Sequence, residues 1–271
     1  AWQAQHRDGI LPRFSRGNDM AATYSDLAGK VVLVTGGGSG IGEAIVRRFA
    51  DQRCKVAFID IAKEASDALA AELAAKGHEV RFEHTDLKDI AALRAAVGRI
   101  RAAWGPVQVL VNNAAHDERH ATAEVTPEYW DERMAVNQRP AFFAIQALVP
   151  SMKRLGGGAV INFGSTGWQT KGGAFPCYSI AKSAVNGLTR GLANELGADR
   201  IRINTISPGW VMTQRQIKLW LNAEGEETIK HMQCLPDKLQ PAEVARMALF
   251  LASDDGAMCT AQEFKVDAGW N

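Results

Sequence analysis

Seven short runs rich in β-branched residues recur along the chain, and alanine-rich stretches with apolar residues at helical spacing lie between most of them. The runs cover residues 31–35, 56–60, 80–84, 107–112, 159–164, 201–207 and 263–266. Two of the helical stretches cover residues 62–76 and 90–104. Short strands that alternate with helices are typical of βαβ units. The sequence therefore predicts a doubly wound α/β fold of the Rossmann type, with a parallel sheet covered on both faces.

Residues 27–271 are predicted to form a single domain. No linker rich in proline, glycine or serine divides them, and no tandem repeat is present. Residues 1–26 are polar and aperiodic, and they lack the apolar segment of a signal peptide, so we expect a flexible N-terminal extension, with an arm at a subunit interface as the alternative.

The charge balance argues against several classes of partner. The 271 residues include 31 basic and 30 acidic side chains, for a net charge of +1, which removes the electrostatic case for nucleic acid or a membrane surface. No apolar run approaches the ~20 residues of a membrane helix. The four cysteines form no CxxC pair, which favours reduced thiols in the cytoplasm. Among them, Cys177 is expected to be a half-buried small apolar side chain rather than a redox group.

A glycine-rich turn, TGGGSGIG at 35–42, follows the first predicted strand and opens a helix. Glycine lets the backbone approach a pyrophosphate, and the helix N-terminus supplies free N–H groups with a partial positive charge. A purely structural turn would need glycine too, but the strand before it and the helix after it favour phosphate binding. The candidate residues for this dinucleotide site are Gly36, Ser39, Gly40, Ile41 and Gly42.

Asp60 ends the second predicted strand, 24 residues after Gly36. A carboxylate at about this separation can accept hydrogen bonds from the adenosine ribose, and its charge would repel a 2′-phosphate. No arginine follows it directly. The sequence therefore favours NAD over NADP, although Asp60 could also serve as a helix N-cap.

Five motifs, in this order, resemble the short-chain dehydrogenase/reductase family. They are the glycine turn at 35–42, Asn-Asn-Ala-Ala at 112–115, Ser165, Tyr-Ser-Ile-Ala-Lys at 178–182, and Pro208-Gly209. The resemblance covers about residues 28–270. Ala115 stands where the family commonly has glycine, which is harmless if the backbone there keeps ordinary dihedral angles.

The resemblance implies that Tyr178 is the base of a dehydrogenase. Tyr178 and Lys182 are four residues apart and so share one face of a helix. Free tyrosine, with a pKa of about 10, is a poor base, but a neighbouring ammonium group and a positive nicotinamide ring both favour the phenolate. Lys182 would also hold the nicotinamide ribose, and Ser165 would orient the substrate oxygen. Thr166 is a second hydroxyl nearby, but the family spacing selects Ser165.

Further residues are assigned by the same resemblance. Asn137 would hold a water molecule for proton relay, although a polar residue that kinks a helix is the alternative. The additional cofactor contacts are Asp86 and Leu87 at the adenine, Asn113 and Ala114 near the riboses, and Pro208, Gly209, Val211 and Thr213 after the sixth strand. The family usually assembles as tetramers, so a homotetramer is expected, with the helix at 183–196 as a candidate interface.

Segments from residue 116 onward narrow the resemblance to bacterial NAD-dependent aldose 1-dehydrogenases, which oxidise the anomeric hydroxyl of a pentose or hexose to a lactone. These segments are HDERH at 116–120, TPEYWDER at 126–133, TQRQ at 213–216 and VDAGWN at 266–271. An aromatic wall beside polar groups would suit a sugar. The candidate sugar contacts are Asp117, Glu118, Trp168, Gln169 and Trp210. Residues 212–235, with polar side chains and Trp220, would form a lid.

Other functions stay open at this point. The chain could act on another alcohol or ketone, such as a 3-oxoacyl thioester or a cyclic alcohol, but a thioester enzyme would more often carry a basic residue for NADP near the glycine turn. A non-catalytic NAD sensor would not need Ser165, Tyr178 and Lys182. A nucleotide-sugar epimerase usually has a longer C-terminal region. The histidines at 116 and 120 lack the glutamate and the helix of a zinc protease site, so no metal is expected.

Overall fold

The computed structural model describes residues 22–171 and 173–271. In this part of the chain, seven parallel strands form one sheet in the order β3-β2-β1-β4-β5-β6-β7. The strands are β1 Val31–Thr35, β2 Lys55–Asp60, β3 Val80–His84, β4 Val109–Asn112, β5 Gly158–Phe163, β6 Ile201–Pro208 and β7 Glu263–Val266. The helices are α1 Gly40–Asp51, α2 Lys63–Ala75, α3 Ile90–Trp104, α4 Pro127–Asn137, α5 Arg139–Leu155, α6 Pro176–Leu196, α7 Gln214–Trp220, α8 Ala223–Met232 and α9 Pro241–Ala252.

The sheet is apolar on both faces because helices cover each of them. Successive side chains of β1 alternate between two hydrophobic cores: Val32 and Val34 enter one core, and Val31 and Leu33 the other. Helices α1, α2 and α9 contribute to the first core, and α3, α5 and α6 to the second. The predicted doubly wound α/β domain is confirmed. Of the helices in the described residues, none is long and apolar enough to cross a membrane.

The strand order reverses between β1 and β4, which are neighbours in the sheet although β2 and β3 separate them along the chain. Such a switch point opens a crevice at the carboxyl ends of the strands, and ligands of doubly wound sheets bind there. The glycine turn follows β1, and the segment that begins with Asn113 follows β4. The topology therefore brings two of the predicted cofactor motifs to one edge of the sheet.

Four strands differ by one or two residues from the predicted runs. β2 begins at Lys55, β4 begins only at Val109, β5 covers Gly158–Phe163, and β6 extends to Pro208. Val107 is buried like a strand residue, but it lies before the first pair of the β1–β4 ladder. Strand ends are set by inter-strand hydrogen bonds, which an apolar run does not reveal.

The predicted N-terminal extension is described only from residue 22, and residues 1–21 lie outside the described part of the chain. The backbone N–H of Tyr24 donates to Gln52 Oε1 at 2.7 Å, and Gln52 Nε2 donates to the Ala22 carbonyl oxygen at 3.2 Å. Leu27 is fully buried in the first core. Contacts with the domain therefore begin several residues before the predicted boundary at residue 27.

Candidate active site

The glycine turn between β1 and α1 is packed too closely for side chains. Gly36 has a φ of +66°, and a Cβ atom added there would lie 2.7 Å from the Ala114 Cα atom. A Cβ atom on Gly42 would overlap the carbonyl oxygen of Gly36. Ser39, the N-cap of α1, makes no side-chain hydrogen bond to the helix, so the first N–H groups of α1 remain available to an anion.

Asp60 lies directly beside this turn. Its Oδ2 atom accepts a hydrogen bond from the Gly38 N–H at 2.8 Å, and its Oδ1 atom accepts one from the Ala62 N–H at 2.9 Å. The N-cap of α2 is Ala62, so Asp60 is not the N-cap that the sequence left open as an alternative. The β2 carboxylate is thus fixed next to the backbone that would hold a pyrophosphate.

The segments after β4 and β6 complete a cofactor cradle whose base is the glycine turn at 35–42. Asn113 Nδ2 donates to the carbonyl oxygens of Gly36 at 2.8 Å and Thr35 at 3.1 Å, so this side chain holds the turn in shape. A Cβ atom on Gly40 would lie 3.1 Å from the Thr213 methyl group. A backbone groove without side chains, a helix N-terminus and a nearby carboxylate fit a nicotinamide dinucleotide.

The segment after β3 also borders the cradle. The Thr85 N–H donates to the Asp60 carbonyl oxygen at 3.1 Å, which brings the end of β3 beside β2. Asp86 is exposed, and its Oδ1 atom accepts from the Lys88 N–H at 2.9 Å. Leu87 is buried in the second core. Of the two predicted adenine contacts, Asp86 therefore exposes a polar group to solvent, whereas Leu87 is buried.

The residues after β6 are held by the C-terminal segment. A Cβ atom on Gly209 would lie 2.7 Å from the Asp267 Cβ atom, so only glycine fits this approach. The Pro208 carbonyl oxygen accepts a hydrogen bond from Thr166 Oγ1 at 3.1 Å. Val211 is buried in the first core. This arrangement fixes the backbone that leads to Thr213 at the glycine turn.

Tyr178 and Lys182 lie in the first two turns of α6, and Ser165 follows β5. Lys182 Nζ donates to the Phe163 carbonyl oxygen at 2.7 Å and lies 5.8 Å from the centroid of the Tyr178 ring. Burial lowers the pKa of Lys182 to about 8. Ser165 Oγ accepts a hydrogen bond from the Gly167 N–H at 3.1 Å, and its hydroxyl is near enough to Tyr178 to act on the pKa of that phenol. The Thr166 hydroxyl is buried and donates to the Pro208 carbonyl oxygen. The structure thus pairs Ser165, and not Thr166, with the tyrosine.

The pKa of Tyr178 is raised above its ordinary value. Part of the side chain is exposed, but the protein atoms around the hydroxyl group disfavour the phenolate, and this desolvation is the largest cause. The negative charge of Asp117 raises the pKa further, and the Ser165 hydroxyl lowers it. The lowered pKa expected from the sequence is therefore not found in the chain alone. A positive charge supplied by a ligand would favour loss of this proton.

Asn137 is the last residue of α4, at the break before α5. Its Oδ1 atom accepts from the His116 N–H at 2.7 Å, and its Nδ2 atom donates to the His116 carbonyl oxygen at 3.2 Å. A cavity of about 10 Å³ is lined by Asn137, Lys182 and Phe163, among others. This volume is enough for about one water molecule. The structure thus combines a helix break with a water-sized space beside Lys182.

Two of the predicted sugar contacts, Asp117 and Trp210, are joined by a residue that the sequence did not single out. Gln216 Nε2 donates to Asp117 Oδ2 at 2.7 Å, and Trp210 Nε1 donates to Gln216 Oε1 at 3.1 Å. Arg215 Nε also donates to Asp117, at 3.3 Å. The Trp210 and Trp270 rings meet edge to face, 6.2 Å apart. Polar and aromatic groups therefore form one continuous wall.

The predicted lid, residues 212–235, folds largely as α7 and α8 and contacts the loop after β4. The Arg119 guanidinium lies between two aromatic rings, 4.5 Å from the Trp220 centroid and 4.7 Å from the Phe175 centroid. The Phe175 ring in turn meets the Tyr178 ring edge to face at 5.9 Å. Arg119 therefore connects the lid with the start of the helix that carries Tyr178.

The other predicted sugar contacts have different surroundings. Glu118 accepts a hydrogen bond from Arg133 Nη1 at 2.9 Å and is about half exposed. Gln169 Nε2 donates to Glu263 Oε1 at 2.7 Å, and its Oε1 atom accepts from Asn271, so its amide is held by β7 and the C-terminus. Trp168 lies in the short turn after Ser165 and is partly exposed. Their roles as sugar contacts stay predictions.

Sequence reasoning missed Gln216, Arg119 and Trp270 as individual site residues. Gln216 and Trp270 fall inside segments that carry the resemblance, but no local pattern shows that their side chains meet Asp117 and Trp210. Arg119 contacts two rings from distant parts of the chain. Among the described residues, no three His, Cys, Asp or Glu side chains are grouped as metal ligands.

Comparisons with known proteins agree with this geometry. A family profile described as enoyl-(acyl carrier protein) reductase matches residues 36–271. D-xylose 1-dehydrogenase of Caulobacter vibrioides is 48% identical over 250 residues, which cover 92% of this chain and 99% of that protein. The probable galactose dehydrogenase of Rhizobium meliloti is 46% identical over 250 residues, covering 92% and 98%. A blue fluorescent protein from a metagenomic library, solved in complex with NADPH, has a TM-score of 0.83 at 37% identity and covers 90% of this chain and 99% of its own.

Proposed function

The chain belongs to the short-chain dehydrogenase/reductase family and is an oxidoreductase, and we propose that it oxidises the anomeric hydroxyl of an aldose to a lactone with NAD. The observation that carries the proposal is the polar and aromatic wall of Asp117, Gln216 and Trp210 near Tyr178. An indole face suits the C–H groups of a sugar ring, and the carboxylate and amide suit its hydroxyls. The relatives named D-xylose and galactose dehydrogenases support a sugar substrate.

In the proposed reaction, the hydroxyl of Ser165 holds the substrate oxygen next to Tyr178. The phenolate of Tyr178 then removes the proton from the anomeric hydroxyl as that carbon becomes a carbonyl carbon. A nicotinamide cofactor, held by the glycine turn and Asp60, would supply the acceptor for the hydride that leaves the anomeric carbon. The proton passes from Tyr178 towards solvent by way of Lys182 and a water molecule in the small cavity beside Asn137.

The family fold implies a nicotinamide cofactor, and we propose NAD as the one used. Residues of the glycine turn, with the N-terminus of α1, would hold the pyrophosphate. The Asp60 carboxylate, fixed by the N–H groups of Gly38 and Ala62, would accept hydrogen bonds from the ribose and repel a 2′-phosphate. The remaining cofactor contacts proposed are Asp86, Asn113, Ala114, Val211 and Thr213.

We also propose a homotetramer that works in the cytoplasm. Phe142 and Leu155 on α5 and Ile180 on α6 expose large apolar side chains, as expected of helices that pack against other subunits. The four cysteines, all within the described residues, are free thiols, as expected in a reducing compartment.

The test is the formation of reduced nicotinamide, followed by absorbance, with a panel of pentoses, hexoses and deoxy sugars and with NAD or NADP. We expect turnover of at least one aldose with NAD and a lactone as the product. The proposal fails if no sugar is oxidised while a thermal shift confirms that NAD binds. That outcome would favour another alcohol substrate, or a sensor that binds NAD without turnover.

A further inference from the structure

The helix that carries Tyr178 and Lys182 has no cap from its own N-cap residue. Phe175 occupies that position and makes no side-chain hydrogen bond to α6. Pro176, the first helical residue, has no N–H group, so Cys177 supplies the first donor of the helix. That N–H donates to His120 Nε2 at 3.3 Å. A side chain from the loop after β4 thus caps this helix in place of Phe175.

His120 also holds the residue that leads into the helix. Its backbone N–H donates to the Ala174 carbonyl oxygen at 2.7 Å. Ala174 has a φ of +68°, in the left-handed region that is unfavourable for an L-residue and therefore persists only where neighbours fix it. One residue of the loop thus bonds to the chain on both sides of the start of α6.

The partners of the imidazole ring of His120 define which of its two nitrogen atoms carries the hydrogen atom. Nδ1 lies 3.0 Å from the Glu118 carbonyl oxygen, which can only accept, so Nδ1 carries the hydrogen atom. The Cys177 N–H can only donate, so Nε2 offers a lone pair. Tyr129 packs edge to face on the ring at 4.9 Å, and its hydroxyl lies 3.0 Å from Nδ1. The imidazole is therefore held in one tautomer and one orientation, with Nε2 towards α6.

We propose that His120 is a positioning residue for the catalytic tyrosine: it caps α6 from another segment and thereby fixes the first turn, where Tyr178 faces Ser165. Cys177 immediately precedes Tyr178, so a shift of the capped N–H moves the tyrosine hydroxyl with it. A displacement of about 1 Å at a reacting group can reduce a rate by 10²-fold. This inference rests on the proposed function, because it assigns His120 to the same reaction.

The test compares three variants of the full chain. His120→Phe keeps a ring of similar size and removes both nitrogen atoms. His120→Gln returns an acceptor where Nε2 was. Tyr129→Phe is the matched control, because it removes the hydroxyl beside Nδ1 and leaves both the cap and the contact with the Glu118 carbonyl oxygen in place. For each protein, kcat, KM for the aldose, Kd for NAD and the unfolding temperature are measured.

We expect His120→Phe to lower kcat about 10- to 100-fold, with KM and Kd changed less than about threefold. His120→Gln should recover most of the loss, and Tyr129→Phe should stay near the parent protein. A purely structural role would instead lower the unfolding temperature and the amount of active enzyme without rescue by glutamine. A parent-like kcat for His120→Phe, or a His120→Gln variant as slow as His120→Phe, would overturn the inference.

Hydrogen exchange separates this inference from the proposed function. Amides 177 and 179, which donate to His120 Nε2 and to the Phe175 carbonyl oxygen, should exchange faster in His120→Phe than in the parent, and His120→Gln should restore their protection. If the parent oxidises no aldose, the proposed function fails, but these exchange rates still decide whether His120 fixes the first turn. Unchanged exchange in His120→Phe would overturn the positioning role whatever the substrate is.

Discussion

Asp117 acts on Tyr178 through its charge. A negative charge near the phenol favours the neutral, protonated form, so Asp117 raises the pKa of Tyr178. Because the phenolate of Tyr178 is the proposed base, kcat should increase with pH as Tyr178 loses its proton. Asp117→Asn removes the charge and lowers this pKa, so we expect the rising limb of the kcat–pH profile to move to lower pH.

The measurement is kcat against pH at saturating sugar and NAD. Asp131→Asn, a change of the same charge at an exposed position of α4, serves as the control and should leave the profile in place. A limb that moves to higher pH, or the same movement in both variants, would mean that Asp117 does not act on Tyr178. KM for the sugar should also rise in Asp117→Asn, because the carboxylate is a proposed hydroxyl contact.

Removal of the Tyr178 hydroxyl should stop the chemistry and spare cofactor binding. General base catalysis contributes about 10²- to 10⁴-fold, so Tyr178→Phe should lower kcat by at least that amount. Kd for NAD, measured by titration, should change little. Tyr24→Phe, at the edge of the domain, is the control for loss of a phenol. If Tyr178→Phe keeps turning over, Tyr178 is not the base.

Asp60 should set the preference between the two nicotinamide cofactors. Asp60→Ala removes the charge that would repel a 2′-phosphate and two hydrogen bonds to the backbone, so kcat/KM with NAD should fall and the NAD/NADP ratio should decrease by about tenfold or more. Asp67→Ala, an exposed aspartate on α2, is the matched control. An unchanged ratio in Asp60→Ala would contradict the ribose assignment.

At the scale of elements, helix α1 packs closely against the glycine turn at Gly42, whereas helix α3 has free space beside Gly98. Gly42→Ala would push a methyl group into the Gly36 carbonyl, and overpacking of this kind costs about 1–3 kcal/mol. Gly98→Ala on α3 meets no atom within 4 Å and should raise the free energy of unfolding by roughly 0.5–1 kcal/mol, because alanine is the better helix former.

Urea unfolding of both variants measures these changes. Titration with NAD should also show weaker binding by Gly42→Ala and unchanged binding by Gly98→Ala, since only the first substitution moves the backbone of the cradle. Equal stability changes of the two variants would mean that the contact between α1 and the turn relaxes without cost.

At the scale of the whole molecule, the proposed tetramer depends on the apolar residues that α5 exposes. Phe142 is 42% exposed. Phe142→Glu puts a charge where a subunit interface would bury an aromatic ring, so the tetramer should dissociate into smaller species. Light scattering after gel filtration measures the mass, and Phe142→Leu should retain the tetramer. A parent mass in Phe142→Glu would exclude this part of α5 from the interface.

The sequence alone predicts the order of strands and helices and the fold class, because apolar periodicity is a local property that burial on both faces of a sheet imposes. It also predicts that the glycine turn, Asp60 and Ser165 stand at strand ends, since strand ends and turns are marked by residue type. Gly36 and Gly42 were identified as residues of a tight turn that approaches a pyrophosphate. The structure adds a second reason for glycine, because Cβ atoms there would meet the Ala114 backbone and the Gly36 carbonyl oxygen.

Only the tertiary structure decided which side chains meet and how their protons are held. Gln216 reaches Asp117, and His120 reaches Cys177, across long stretches of chain, and such pairings depend on loop paths that carry no periodic signal. The same reason explains why the pKa of Tyr178 is raised in the structure although the sequence predicts a lowered value. The spacing to Lys182 is local and predicts a lower value, but burial and the charge of Asp117 are contributed by the fold, and they raise it.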